Sequence, residues 1–443
     1  MALARDGAAG EHLAGPMQET REISQIVEHL FRHEAGKMVA ILTRIFGVEH
    51  MWLAEDVVQE ALARALRTWP FYGVPNNPSA WIMRASRNLA LDMVRREKIF
   101  RDKTPEITRL TEEDRGPDEP VFDEQEIADD RLRMMFVCCH PLVAPEAQAA
   151  LALKTLCGFS PKEIARAFLT TEAAIAKRLT RAKQKIREER IPFEIPSGEA
   201  LAGRLDGVLQ TLYLLFNEGY KASSGDRLVR EDICAEAVRL TSLLAAHPAG
   251  DQPRTHALLA LMLLNSARSV ARVDPEGNLL RLDEQDRRLW DRGMIARGLR
   301  HFSESARGEE IGAYQLQAGI AACHCMAASY ASTDWEQILA LYDRLVQFDD
   351  SPVAALNRAV AVAEVHGAEA GLEAVGPIRD LPTLESYHLL HAVLGEFESR
   401  LKRHEAAAEH FRKALELTEM ESERRFLEKR LRACERKISE ARI

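Results

Sequence analysis

Apolar residues recur at three- and four-residue spacing along nearly the whole chain, and no stretch alternates β-branched with polar residues. This pattern predicts an all-α fold. A first helical unit is expected over about residues 23–101, interrupted between Trp69 and Pro78, where proline and glycine crowd into a turn. A second unit runs from Ile127 to Arg190, and Pro192 and Pro196 mark the boundary after it. From about Glu199 onward the chain reads as one long helical region. The expected domains are therefore residues 20–103, a linker over 104–126, a second module over 127–191, and a C-terminal helical domain over 199–443.

That last region repeats loosely. Trp335, Ile338, Leu339, Tyr342 and Leu345 share one helical face, followed by Ser351-Pro352 and a partner helix to His366. Tyr387, Leu390 and Leu394, then Ala406, Phe411, Ala414 and Leu415, predict another pair. An aromatic-rich helix packing on an alanine-rich one is the tetratricopeptide-like pattern, although an irregular helical bundle would also satisfy it.

Charge sharpens the division. The net charge is −9, but the signs separate along the chain. The segments Arg84–Lys103 and Lys154–Arg190 are basic, and Thr104–Asp130 between them is acidic and contains three prolines. Two basic blocks on an acidic tether fit two small nucleic-acid modules, although each block could also be a solvated helix face. The first twenty residues lack the apolar stretch of a secretory signal and read as a loose tail. No apolar run approaches the ~18 residues of a membrane helix. Seven cysteines, odd in number and mostly within apolar helical patterns, fit buried thiols in a reducing cytoplasm better than a disulfide framework. Cys138-Cys139-His140 and Cys323-His324-Cys325 hold ligand types that zinc accepts, but no second pair at a fixed spacing completes a tetrahedral site, so no metal or other cofactor is expected. His388 and His391 are expected to be structural.

Two segments carry the chemistry. Gly158 to Leu179 reads as helix–turn–helix: Ser160 and Glu163 form a capping box, Pro161 takes the first helical position, and Thr170 or Thr171 caps the second helix. On that second helix Ile175, Leu179, Ala182 and Ile186 fall on one stripe, and Lys177, Arg178, Arg181 and Lys185 project opposite it. A helix entering the major groove needs this layout, with an apolar seam inward and cations toward phosphates and base edges. In the first unit, the helix from Pro78 is expected to bury Trp81, Ile82, Ala85, Leu89 and Met93 and to turn Arg84, Arg87, Asn88 and Arg95 outward. With Trp69, Phe71 and Tyr72 in the preceding turn, cations and rings suit single-stranded DNA.

These residues resemble the extracytoplasmic-function (ECF) group of the sigma-70 family. Ala54 to Trp69 looks like the second-region helix, which implies that Asp56, Gln59 and Glu60 meet the clamp of the polymerase largest subunit. Asn77 to Arg96 is similar to the helix that reads and melts the −10 element, which implies roles for Trp81, Arg84, Arg87, Asn88, Arg95 and Arg96. Gly158 to Lys183 is similar to the fourth region, which reads the −35 element and docks on the β flap. Thr171, Ala174, Lys177, Arg178, Arg181 and Lys185 are the residues this assigns to −35 DNA. Phe136 to Pro141, Leu214 to Tyr220 and Ala321 to His324 resemble a subgroup with a tetratricopeptide-like C-terminal extension.

The resemblance implies a sigma factor without catalytic residues, acting in the cytoplasm with core RNA polymerase and promoter DNA and away from any membrane. The extension is expected to contact the DNA-binding modules at rest and to regulate them. In the segment Asn217-Glu218-Gly219-Tyr220, Gly219 reads either as a helix stop or as part of such an interface. The competing reading is a stand-alone helix–turn–helix regulator with a sensing domain, which would have no need of exposed Asp56, Gln59 and Glu60. A scaffold would leave both basic helices unexplained, and no phosphate loop, nucleophile elbow or paired metal motif points to an enzyme.

Overall fold

The computed structural model describes residues 16–99, 124–168, 170–196, 198–220, 230–308, 311–348, 350–418 and 420–441. The expected N-terminal tail up to residue 15, most of the acidic linker, and the turn Ser223–Asp226 lie outside them. Among the described residues there is no strand, only an isolated bridge between Val273 and Leu279. The chain forms two compact units, Met1–Ser160 with Ala176–Ile195, and Pro161–Ile175 with Pro196–Ile443.

The first unit contains α1 (Pro16–His33), α2 (Ala35–Phe46), α3 (Met51–Tyr72), α4 (Pro78–Ile99), α5 (Glu124–Cys138), α6 (Pro145–Cys157) and most of α8 (Glu172–Glu189). Helix α2 is its hub, buried almost all round from Met38 to Thr43. It meets α6 at backbone distance, because a Cβ on Gly36 would sit 1.9 Å from the Leu156 carbonyl oxygen. Only glycine permits that approach. The same carbonyl accepts a 3.1 Å hydrogen bond from Arg131 of α5. Fully buried Asp130 lies 3.0 Å from both Arg44 of α2 and Arg133, so its charge is compensated where water cannot reach it.

Two expectations change here. Helix α3 continues through Pro70 to Tyr72 and stops at Gly73, whose φ of +80° lies in the region that favours glycine. Trp69 therefore belongs to a helix and is buried, while Phe71 and Tyr72 are exposed on its last turn. In α4 the buried residues are Ile82, Met83, Ser86, Ala90 and Val94, so the seam lies about one residue from the expected one and Met93 faces solvent.

The second unit holds the short α7 (Pro161–Ala167) and a succession of helices in which each packs chiefly on its chain neighbours: α9 (Glu199–Tyr220), α10 (Glu231–Ala246), α11 (Pro253–Ser266), α12 (Arg292–Ser305), α13 (Ala313–Met326), α14 (Trp335–Phe348), α15 (Pro352–His366), α16 (Ala368–Val375), α17 (His388–Arg400), α18 (His404–Leu417) and α19 (Glu421–Ala441). The repeat is where the pattern put it. Ile338 and Leu345 are buried, with Trp335, Leu339 and Tyr342 packed around them. Ser351 accepts from the Ala354 N–H and caps α15. Phe411 of α18 fills the place opposite Gly395 of α17, where a Cβ would be 2.9 Å from its ring.

One stretch departs from the uniformly helical expectation. Residues 267–291 form turns and 3-10 segments, pinned by arginines rather than by a helix ladder. Arg272 lies over the Tyr220 ring at 4.0 Å, and Arg287 donates to the carbonyls of His324 (2.6 Å) and Ala327 (2.7 Å). Gly219 lies in the last turn of α9, which is described up to Tyr220, and a Cβ there would be 2.7 Å from the Cys234 amide nitrogen of α10, so the glycine also serves close helix packing.

Candidate polymerase and nucleic-acid interface

Helix α3 is amphipathic along its length. Ala54, Val57, Val58, Ala61, Leu62 and Ala65 are buried, and Asp56, Gln59 and Glu60 are exposed together on the other side. Glu60 is held by Arg67 two turns on, at 2.6 Å. The residue missed in the sequence is Glu55. It is buried, 3.7 Å from Lys154 of α6 and 3.5 Å from Lys183 of α8. Lys183 also lies 4.6 Å over the Trp52 ring. A buried carboxylate between two lysines ties α3 to α6 and α8 within the first unit. Sequence spacing carries no sign of it, because the partners are about 100 and 130 residues away.

On α4, Arg84, Asn88 and Arg95 are exposed and fall within about 40° at ~100° per residue. Arg87 is half-buried and interacts with the protein, and the Arg96 side chain lies outside the described residues. Trp81 is half-buried, its ring edge-on to Trp69 with centroids 5.5 Å apart. The tryptophans thus make a core pair, while Phe71 and Tyr72, at 82% and 88% exposure, are the rings available at the surface. Sequence composition in the turn indicated aromatic exposure but not which ring.

In α8 the expected stripe is buried in full: Ile175, Leu179, Ala182 and Ile186 are all under 7% exposed. Thr171 caps the helix, accepting from the Ala174 N–H at 3.3 Å. Thr171, Lys177 and Arg181 are exposed, and Ala174, Arg178 and Lys185 are half-buried. Lys185 is held by Glu189 at 2.7 Å, which raises the lysine's pKa and lowers the carboxyl's. Among the described residues no group of three or more His, Cys, Asp and Glu side chains could hold a metal ion, and no disulfide is formed by the seven cysteines. No described helix is long and apolar enough to cross a membrane.

Two helical modules in this order, the second with an amphipathic basic helix after a tight turn, define a class that the comparisons identify. Residues 30–99 match the Sigma-70 region 2 family and residues 133–186 match Sigma-70 region 4. Residues 204–306 match a family of unknown function (DUF6596). An uncharacterized protein of Rhizobium meliloti (strain 1021) is 41% identical over 381 residues, covering 86% of this chain and 89% of that protein. The ECF RNA polymerase sigma factor SigE of Mycolicibacterium smegmatis is 31% identical over 162 residues, which is 36% of this chain and 60% of SigE. No solved structure matches. The chain belongs to the sigma-70 family. Within it, the chain is a sigma factor of the ECF type that carries a helical C-terminal extension.

Proposed function

We propose that this sigma factor directs core RNA polymerase to specific promoters from the cytoplasm, and that its C-terminal unit regulates that step. The observation that carries the first part is the exposure of Asp56, Gln59 and Glu60 on the outer face of α3. A sigma factor offers them to the polymerase clamp, whereas in a stand-alone regulator they would be only a solvated helix face. Arg84, Asn88 and Arg95, with Arg87, Arg96 and the Trp81 side of α4, are assigned to the −10 element. Thr171, Ala174, Lys177, Arg178, Arg181 and Lys185 are assigned to the −35 element, with exposed cations tracking phosphates.

The regulatory part is supported by the grouping of α7 and the first turn of α8 with the C-terminal helices. Helix α7 is the first helix of the helix–turn–helix. In the second unit Arg230, which follows α9, reaches Glu163 of α7 at 3.7 Å and buried Glu218 at 3.6 Å. On this reading, the ion pair from Arg230 couples part of the DNA-reading module to the extension.

The test is run-off transcription by purified chain and core polymerase from a genomic promoter library. Promoter-specific transcripts that disappear in Asp56→Lys and Glu60→Lys support the assignment. DNA binding without polymerase association moves it to a stand-alone regulator. A chain ending near Arg190 that shows unchanged promoter activity and unchanged regulation removes the proposed role of the C-terminal unit.

A further inference from the structure

Inside the second unit, helices α9, α11, α13, α14 and α15 line a partly open cavity of about 270 Å³. Its polar wall is made by Asn265, Arg268, Gln317, His324, Tyr342 and Asn357, and no carboxylate is among its lining residues. These groups come from α11, α13, α14 and α15 and, for Arg268, from the segment after α11.

The charge around the cavity is one-sided. Arg268 donates to the Tyr220 hydroxyl at 2.9 Å and lies over Trp290 at 5.6 Å, yet its buried Nε has no hydrogen-bond partner. Arg287 is satisfied by two carbonyls and Thr333, and Arg272 by the Tyr220 ring and carbonyl. Among the described residues no carboxylate is within ion-pair distance of Arg268, Arg272 or Arg287, although surface arginines of this unit are widely paired. Three partly desolvated guanidinium groups with no carboxylate in ion-pair contact are costly, and an anion at Arg268 would relieve that cost. Burial and the nearby Arg268 and Arg287 push the His324 imidazole down to about 3, so it sits neutral in the wall with its buried Nδ1 unpartnered. At roughly 30 Å³ per water, the space takes about nine waters, or an organic anion on the order of ten non-hydrogen atoms.

We propose that this cavity binds a small organic oxyanion, a carboxylate or a phosphate ester, with Arg268 as its charge partner and the amides of Asn265, Gln317 and Asn357 as its orienting groups. Arginine meets either oxyanion with a planar fork of donors, and the neutral amides complete the remaining hydrogen bonds. The site is independent of the polymerase and DNA assignments.

The test is the thermal unfolding midpoint of the full chain against increasing sodium succinate or sodium glycerol 3-phosphate, each compared with sodium chloride at equal ionic strength. A rise that follows the logarithm of one plus ligand concentration over Kd is expected for one of the two and identifies the head group. Arg268→Gln and Asn357→Leu should each weaken the apparent affinity at least tenfold. Asn357→Leu keeps the charge and spares the Tyr220 bond, so it still reads the site if Arg268→Gln does not fold. Absence of a rise beyond that of sodium chloride with both salts, or an equal rise in the wild-type chain and the folded variants, overturns the proposal.

Discussion

Arg230 and Glu163 face each other at 3.7 Å within the second unit, and the same guanidinium lies 3.6 Å from Glu218 at the end of α9. The arginine thus connects the first helix of the helix–turn–helix to the Asn217–Tyr220 motif. Neutralising it removes one of the charges that face buried Glu218. Arg230→Gln should cost on the order of 3 kcal/mol locally, in the range for breaking a buried pair. Hydrogen exchange over residues 161–167 is the readout: faster exchange there than over α17 and α18 is expected. Unchanged protection of α7 would mean that Arg230 does not hold it.

Gly36 and Gly203 should respond oppositely to the same change. In Gly36→Ala the new methyl meets the Leu156 carbonyl at 1.9 Å, so α2 and α6 must separate, at a cost of about 1–3 kcal/mol. Gly203, exposed within α9, has nothing within 4 Å of its Cβ position, and Gly203→Ala should gain about 0.5–1 kcal/mol. Urea unfolding of the two variants compares them directly.

Charge reversal on α3 separates folding from partner binding. Asp56→Lys should leave stability within about 0.5 kcal/mol, since the residue is exposed, while weakening core polymerase binding at least tenfold. Glu55→Lys, one residue away, should instead unfold the local packing, because it puts a third cation beside Lys154 and Lys183. Circular dichroism melts and polymerase pull-down on the two variants distinguish these roles.

Phosphate contacts from α8 should appear in the salt dependence. Lys177→Ala and Arg181→Ala in the polymerase-bound form should each lower promoter affinity and reduce the slope of log affinity against log salt by about 1. Lys185→Ala should have a smaller effect, because Glu189 already partners that lysine. Equal effects at all three positions would count against the exposure-based ordering.

Acid should destabilise the second unit through its partly buried histidines. His324 is held down to about 3, and His301, His391 and His410 are lowered as well, chiefly by burial. Below pH 6.5 the unfolded chain takes up protons that these folded imidazoles refuse, so stability falls as pH drops from about 6.5 toward 3. Each group adds at most about 1.4 kcal/mol per pH unit over its own window. His324→Phe should flatten the unfolding midpoint between pH 6 and 4 relative to the wild-type chain; an unchanged slope would show that His324 titrates normally.

The apolar period alone determined the all-α class, the buried stripe of α8 from Ile175 to Ile186, and the helix pair joined at Ser351-Pro352. Each depends on neighbours within a few turns, where 3.6-residue geometry is sufficient. The same geometry misplaced the seam of α4 by about one residue, because adjacent positions differ by only ~100° and the sequence does not say from which side partners approach. Tertiary structure decided the rest. Trp81 turns toward Trp69, leaving Phe71 and Tyr72 exposed, because α3 runs on through Pro70. Glu55 meets Lys154 and Lys183, Arg230 meets Glu163, and five helices bring their side chains to the cavity at Arg268. These are meetings of side chains tens to more than a hundred residues apart, and no local period encodes which ones come together.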